Sequence, residues 1–165
     1  MRQFPYYPQH DEMDCGPTCL KMVAKHYGKN YSLQYLREKT FVTREGVSFL
    51  GISEAAEALG FRTIGIRVPF EKYLREAPVP NIVHWNNNHF VVVYKTTRKT
   101  ISVADPAGGL ITYPHYDFKL KWLNAYDGNQ HAGTALLLEP TDVFYETDQV
   151  SHKQRDNIFQ LFRYL

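Results

Sequence analysis

The feature that most constrains this chain is a change of hydrophobic period at Gly60. Before it, apolar residues recur at helical spacing, and after it they alternate along short runs rich in Val, Ile and Thr. Cys19, Leu20, Val23, Ala24 and Tyr27 make one helical face, with Pro17 suited to a first turn and Gly28 to the stop. Ser32 is the N-cap for a second helix through Leu33, Leu36 and Lys39. Ser48 and Gly60 bracket a third, Phe49–Leu59. Then come a strand over Arg62–Val68, a short helical piece around Phe70–Glu76, and strands over Asn81–Trp85 and His89–Lys95 joined by Asn86-Asn87-Asn88. Thr100–Ala104 and Ala135–Leu138 are two more strands. Helices first and a mostly antiparallel sheet second define an α+β domain.

At 165 residues, the chain has room for one domain with a single core. The net charge of +2, without a dense Lys/Arg run, gives no nucleic-acid footprint. No stretch has the roughly 18 apolar residues of a membrane span, and the start carries no apolar signal region. Cys15 and Cys19 are four apart, too close on one helix for an unstrained disulfide, so both read as thiols and the domain as soluble and cytosolic. Residues 1–140 hold the folded domain. Residues 141–153 read as a polar linker, and 157–165 as an amphipathic lead-in to a larger protein.

Cys15 stands before Gly16-Pro17, at the start of the first helix, where the helix dipole favours negative charge on a nucleophile. Gly16 leaves space for a substrate carbonyl to approach the backbone. Cys19, one turn further in among Leu20 and Val23, reads as a buried structural cysteine. A thiol nucleophile needs a base. His89 opens an apolar strand directly after a polar turn, so that a sheet edge would hold it while leaving it accessible. His84 across the same turn is its main rival; His26, His115 and His131 are less well placed. Asp105, ending the next strand before Pro106, falls near the His89 end of its neighbour if the two strands pair, and there it could orient the imidazole. Gln9, a few residues before the cysteine, could lend its amide to an oxyanion with the Cys15 N–H. Each of these residues also has an ordinary structural explanation. Zinc is the competing chemistry, but there is no second ligand pair at zinc spacing and no His-Glu-x-x-His.

The run Gln9-His10-Asp11-Glu12-Met13-Asp14-Cys15-Gly16-Pro17-Thr18-Cys19-Leu20, followed by Tyr27-Gly28, resembles the start of the double-glycine leader peptidase domain of peptidase-containing ABC transporters. The likeness continues at Gly46-Val47-Ser48, Ala55–Phe61, His84-Trp85, His89–Val93 and Asp105-Pro106-Ala107, and covers roughly 3–140. It implies a papain-like fold, with Cys15 as nucleophile, His89 as base, Asp105 as third triad member and Gln9 as oxyanion donor. It also implies a substrate, a bacteriocin-like precursor peptide cut after Gly-Gly, whose amphipathic leader helix lies in an apolar groove. No cofactor is implied for the peptidase; ATP and Mg would belong to a nucleotide-binding domain outside this chain. The partners implied are the transporter's membrane and nucleotide-binding domains, at the cytoplasmic face of a bacterial inner membrane. The isolated domain would be monomeric and the full transporter a homodimer. Asp14 matches a motif position for which the sequence offers no role. Asn124–Gly133 is longer than the resemblance leads one to expect. A non-catalytic leader-docking domain and a thiol acyltransferase on the same fold are the alternatives.

Overall fold

The computed structural model describes residues 3–40, 46–86 and 89–146. A 3-10 turn, Glu12–Asp14, runs directly into helix α1, Cys15–His26. Helices α2 (Leu33–Thr40) and α3 (Phe49–Leu59) follow. Their ends are where the capping residues sit: Ser32 Oγ accepts from Tyr35 N–H at 3.2 Å, and Ser48 Oγ from Gly51 N–H at 3.0 Å.

The second part is built from strands β1 (Phe61–Val68), β2 (Asn81–Trp85), β3 (His89–Thr96), β4 (Thr100–Asp105), β5 (Gly109–Pro114), β6 (Ala125–Asp127) and β7 (Gln130–Pro140). Helix α4 (Phe70–Glu76) lies between β1 and β2, and α5 (His115–Trp122) between β5 and β6. The strand order is β1-β7-β2-β3-β4-β5, with β6 on β7, and the pairs are antiparallel.

Alternation along the strands divides the core in two. Ile82, Phe90, Val92, Ala104 and Leu136 meet α1–α3 on one face. Val83, Val91, Val93, Ile101 and Val103 meet Phe70, Tyr73, Phe118 and Trp122 of α4 and α5 on the other. The sequence reading provided the first helical layer but only α4 of the second, and it missed α5, β5 and β6.

Two expectations need correcting. The long segment Asn124–Gly133 is a hairpin: β6 pairs with the start of β7, which begins at Gln130 instead of Ala135. Gly133 is there because the Trp122 ring occupies the space of a Cβ. The presumed linker is folded at its beginning. Residues 142–146 are helical, and Phe144 is fully buried against Phe61 with ring centroids 4.5 Å apart. Gly60 combines φ +104° with close approach of the Phe144 backbone, so no other residue fits. The amphipathic 157–165 segment, the rest of the presumed linker, and Asn87 and Asn88 lie outside the described residues.

Candidate active site

Helix α1 packs its Cys19, Leu20 and Val23 face against β3, which brings its first residue, Cys15, to the His89 end of that strand. Cys15 is 5% exposed. The strand pairing supplies the other two residues. Val92 pairs with Ala104, so one further step puts Asp105 opposite Val91 and diagonal to His89 on the same face. His89 Nε2–H donates to Asp105 Oδ1 at 2.6 Å, and the ring also exchanges a hydrogen bond with the Cys15 side chain. With Nε2 engaged by Asp105, Nδ1 is the nitrogen left for the thiol. Of the histidines considered from sequence, the structure brings His89 to Cys15 and Asp105. His84 faces the Phe90 ring at 4.9 Å, His115 Nε2–H donates to Thr97 O at 2.8 Å, and His26 and His131 contact Phe4 and Tyr126.

Asp105 is held on several sides. Its Oδ1 also accepts from Ala107 N–H at 2.9 Å, an Asx-turn favoured by the Asp-Pro-Ala sequence. Its backbone oxygen accepts from Tyr6 O–H at 2.9 Å. Burial disfavours the charged carboxylate, but the hydrogen bonds from His89 and Ala107 outweigh it. With the His89 and Lys121 charges added, they hold the group below its ordinary range. Burial likewise works against a charged His89. The hydrogen bonds to Asp105 and Cys15, then the charges of those groups, prevail and raise it from 6.5 to about 9. The site therefore favours the charged imidazolium form of His89.

Gln9 is tied to the loop behind Asp105 by its N–H, which donates to Pro106 O at 2.9 Å. Its side-chain oxygen is buried with no hydrogen-bond partner among the described residues. Cys19 is fully buried and donates its S–H to Phe90 O at 3.3 Å; burial, then the charges of Cys15 and Asp105, push its thiol well up. Both cysteines are free. Gly16 has a packing reason of its own, besides the substrate approach expected from sequence. A Cβ there would sit 3.0 Å from Ile52 Cδ1 and 3.2 Å from Val47 Cβ.

Three features escaped the sequence reading. Asp14 is fully buried, and Arg37 Nε of α2 lies 2.9 Å from its Oδ1. The Trp85 ring stands 6.4 Å from that of His89, its partner across the hairpin. A cavity of about 660 Å³ opens between the α3 N-terminus and the sheet, lined by Val47, Phe49, Ile66, Arg67, His84 and Phe90 among others. The hairpin register could have pointed to Trp85. Arg37 and the cavity depend on how α2 and α3 pack.

The fold and the cysteine beside a histidine define a papain-like cysteine peptidase. The chain belongs to the Peptidase C39 family, whose model matches residues 3–126. It is 37% identical over 109 residues to the colicin V secretion/processing ATP-binding protein CvaB of Escherichia coli, covering 66% of this chain but only 16% of that protein. Two solved structures are similar. One is a double glycine motif protease from an AMS/PCAT transporter in complex with its leader peptide, with TM-score 0.75 and 32% identity over 84% of this chain and 93% of that one. The other is the peptidase domain of Streptococcus ComA, with TM-score 0.74 and 33% identity over 84% of this chain and all of that one.

Proposed function

We propose that this chain is the peptidase domain of an ABC exporter and cuts precursor peptides after a Gly-Gly pair through a Cys15-His89-Asp105 triad. The observation that carries this reading is the 2.6 Å bond from His89 to Asp105 with the Cys15 thiol on the same ring. His89 takes the Cys15 proton, and the thiolate attacks the carbonyl carbon of the second Gly. The oxyanion that forms is met by the Cys15 N–H and the Gln9 side-chain amide. Imidazolium then gives its proton to the leaving amine as the C–N bond breaks. Water, activated by the now neutral His89, cleaves the resulting thioester. Asp105 holds one tautomer throughout and stabilises the imidazolium.

The 660 Å³ cavity is the best candidate for part of the leader path, because Val47 packs on Gly16 beside the nucleophile and the lining is mostly apolar. The likeness to transporter domains supports a cytoplasmic position at the bacterial inner membrane. It also supports membrane and nucleotide-binding domains as partners, assembly of the full transporter as a homodimer, and ATP and Mg only in that nucleotide-binding domain. No helix among the described residues is long and apolar enough to cross a membrane.

The test is a synthetic peptide with an amphipathic leader, Gly-Gly and a short core, followed by mass spectrometry. A single cut after the second Gly, absent with Cys15→Ala, is the expected result. Saturable binding without a cut would make this a docking domain, and capture of the leader by an added amine in preference to water would make it an acyltransferase.

A further inference from the structure

The entry segment ahead of α1 is rooted in the two elements that carry His89 and Cys15. Phe4, 8% exposed, stacks on Tyr94 of β3 with ring centroids 4.8 Å apart, and its ring centre lies 5.4 Å from that of His26 at the end of α1. Two residues further on, the Tyr6 hydroxyl reaches the turn between β4 and β5. Its O–H is shared between Asp105 O at 2.9 Å and Pro106 O at 3.3 Å. Gln9 N–H adds a second link from the same segment, to Pro106 O at 2.9 Å.

The turn is where the β4 frame is weakest. The β3–β4 ladder is registered as far as Val92 and Ala104, so Asp105 is the first residue of β4 beyond it. Within the turn, however, backbone and carboxylate move as one body. Gly108 N–H donates to Asp105 O at 3.0 Å and Ala107 N–H to Asp105 Oδ1 at 2.9 Å. A Cβ on Gly108 would come within 3.1 Å of Asp105 Oδ2, so the turn closes tightly over the carboxylate. A shift of this corner therefore carries the carboxylate with it, and strains the 2.6 Å bond from His89 Nε2. Burial, opposed by the Gly109 N–H and aided by the Asp105 charge, holds the Tyr6 phenol above its ordinary range, so it remains a donor.

We propose that Tyr6 is a positioning residue for the peptidase reaction: its hydroxyl pins the Asp105 corner, just beyond the end of the β3 ladder, to a segment rooted on β3 and α1, and so keeps the carboxylate on His89. This rests on the triad reading above.

Tyr6→Phe removes one oxygen and keeps the half-buried ring, so the fold should be retained. Tyr7→Phe is the matched control: it removes the same atom one residue on, from a ring that carries Lys21 Nζ at 4.5 Å. Asp105→Asn and its combination with Tyr6→Phe complete the set. Three quantities are read: kcat and KM on a leader–Gly-Gly–core peptide, the rate of iodoacetamide alkylation mapped to Cys15, and the downfield proton NMR signal of His89 Nε2–H. Tyr6→Phe should lower kcat and the alkylation rate about fivefold each, the effect of one lost hydrogen bond, with KM within about twofold. The proton signal should broaden or move, and Tyr7→Phe should leave all three unchanged. In the Asp105→Asn background, Tyr6→Phe should change either rate by less than about 1.5-fold, because no carboxylate is left to place. Unchanged rates and signal in Tyr6→Phe, an equal drop with Tyr7→Phe, or the full fivefold drop in Asp105→Asn would each overturn the inference. Alkylation and the proton signal need no substrate, so they still decide the role of Tyr6 if the wild type fails to cleave, a result that would sink the peptidase reading instead.

Discussion

His89 is the residue on which the chemistry and the stability of the site meet. Its pKa is raised in the folded chain, so the stabilisation it contributes is complete below its unfolded value near 6.5. That stabilisation is lost as pH rises through about 9. Urea unfolding followed from pH 6 to pH 10 should therefore show the wild type losing roughly 1–3 kcal/mol more than His89→Gln, after discounting for the partly exposed ring. Parallel curves for the two proteins would mean that the imidazolium is not held as described. In the proposed mechanism the same group gives its proton to the leaving amine, so cleavage should fall off in the same upper window. Cys19 illustrates how context separates identical residues. Four positions from Cys15 on the same helix, it is sealed in the core with its S–H on Phe90 O, while Cys15 faces an imidazole.

Helix α1 carries Cys15, the proposed nucleophile, and its anchor to α2 explains the motif position that sequence left without a role. Asp14 precedes Cys15, is fully buried, and caps no N–H of α1 with its side chain; its charge is met by Arg37. Removing Arg37 leaves a buried carboxylate unpaired. Because the arginine is 46% exposed, the cost is set below that of a fully buried pair: Arg37→Met should lower stability by about 1–3 kcal/mol in denaturant. Adding Asp14→Asn should recover part of that loss. Full stability in Arg37→Met would show that the pair anchors nothing. At this scale the sequence was most readable where local chemistry decides: Ser48, Gly60 and the period between them mark α3 at both ends. It was least readable at α5, whose apolar residues make no clean stripe. Phe118 and Trp122 face inward while Tyr116 and Leu120 are 70% and 60% exposed. A helix whose inner face is chosen by the sheet beneath it leaves little periodic signal.

Across the whole molecule, the residues read as a site are separated by up to 96 positions, from Gln9 to Asp105, and the fold brings them together through two pairings. One is α1 on β3; the other is the β3–β4 hairpin. The second was legible in advance, because a short turn between alternating runs fixes which ends meet. The first was not, since nothing local states which strand a helix will cross. The second core face, with Phe118 and Trp122 against the sheet, escaped notice for the same reason: it exists only once α5 closes over the strands. Phe144 was lost to a compositional argument, since a polar stretch with one buried aromatic looks like a linker until its partner Phe61 is known. Catalysis on the proposed reading is covalent, through Cys15. Its most direct test is intact-protein mass spectrometry of the domain quenched in acid during turnover of a leader–Gly-Gly–core peptide. The expected result is a transient adduct with the mass of the leader acyl group, mapped to Cys15 and absent in Cys15→Ala, which also fails to cut. Cleavage that persists in Cys15→Ala, with no adduct on the wild type, would contradict it.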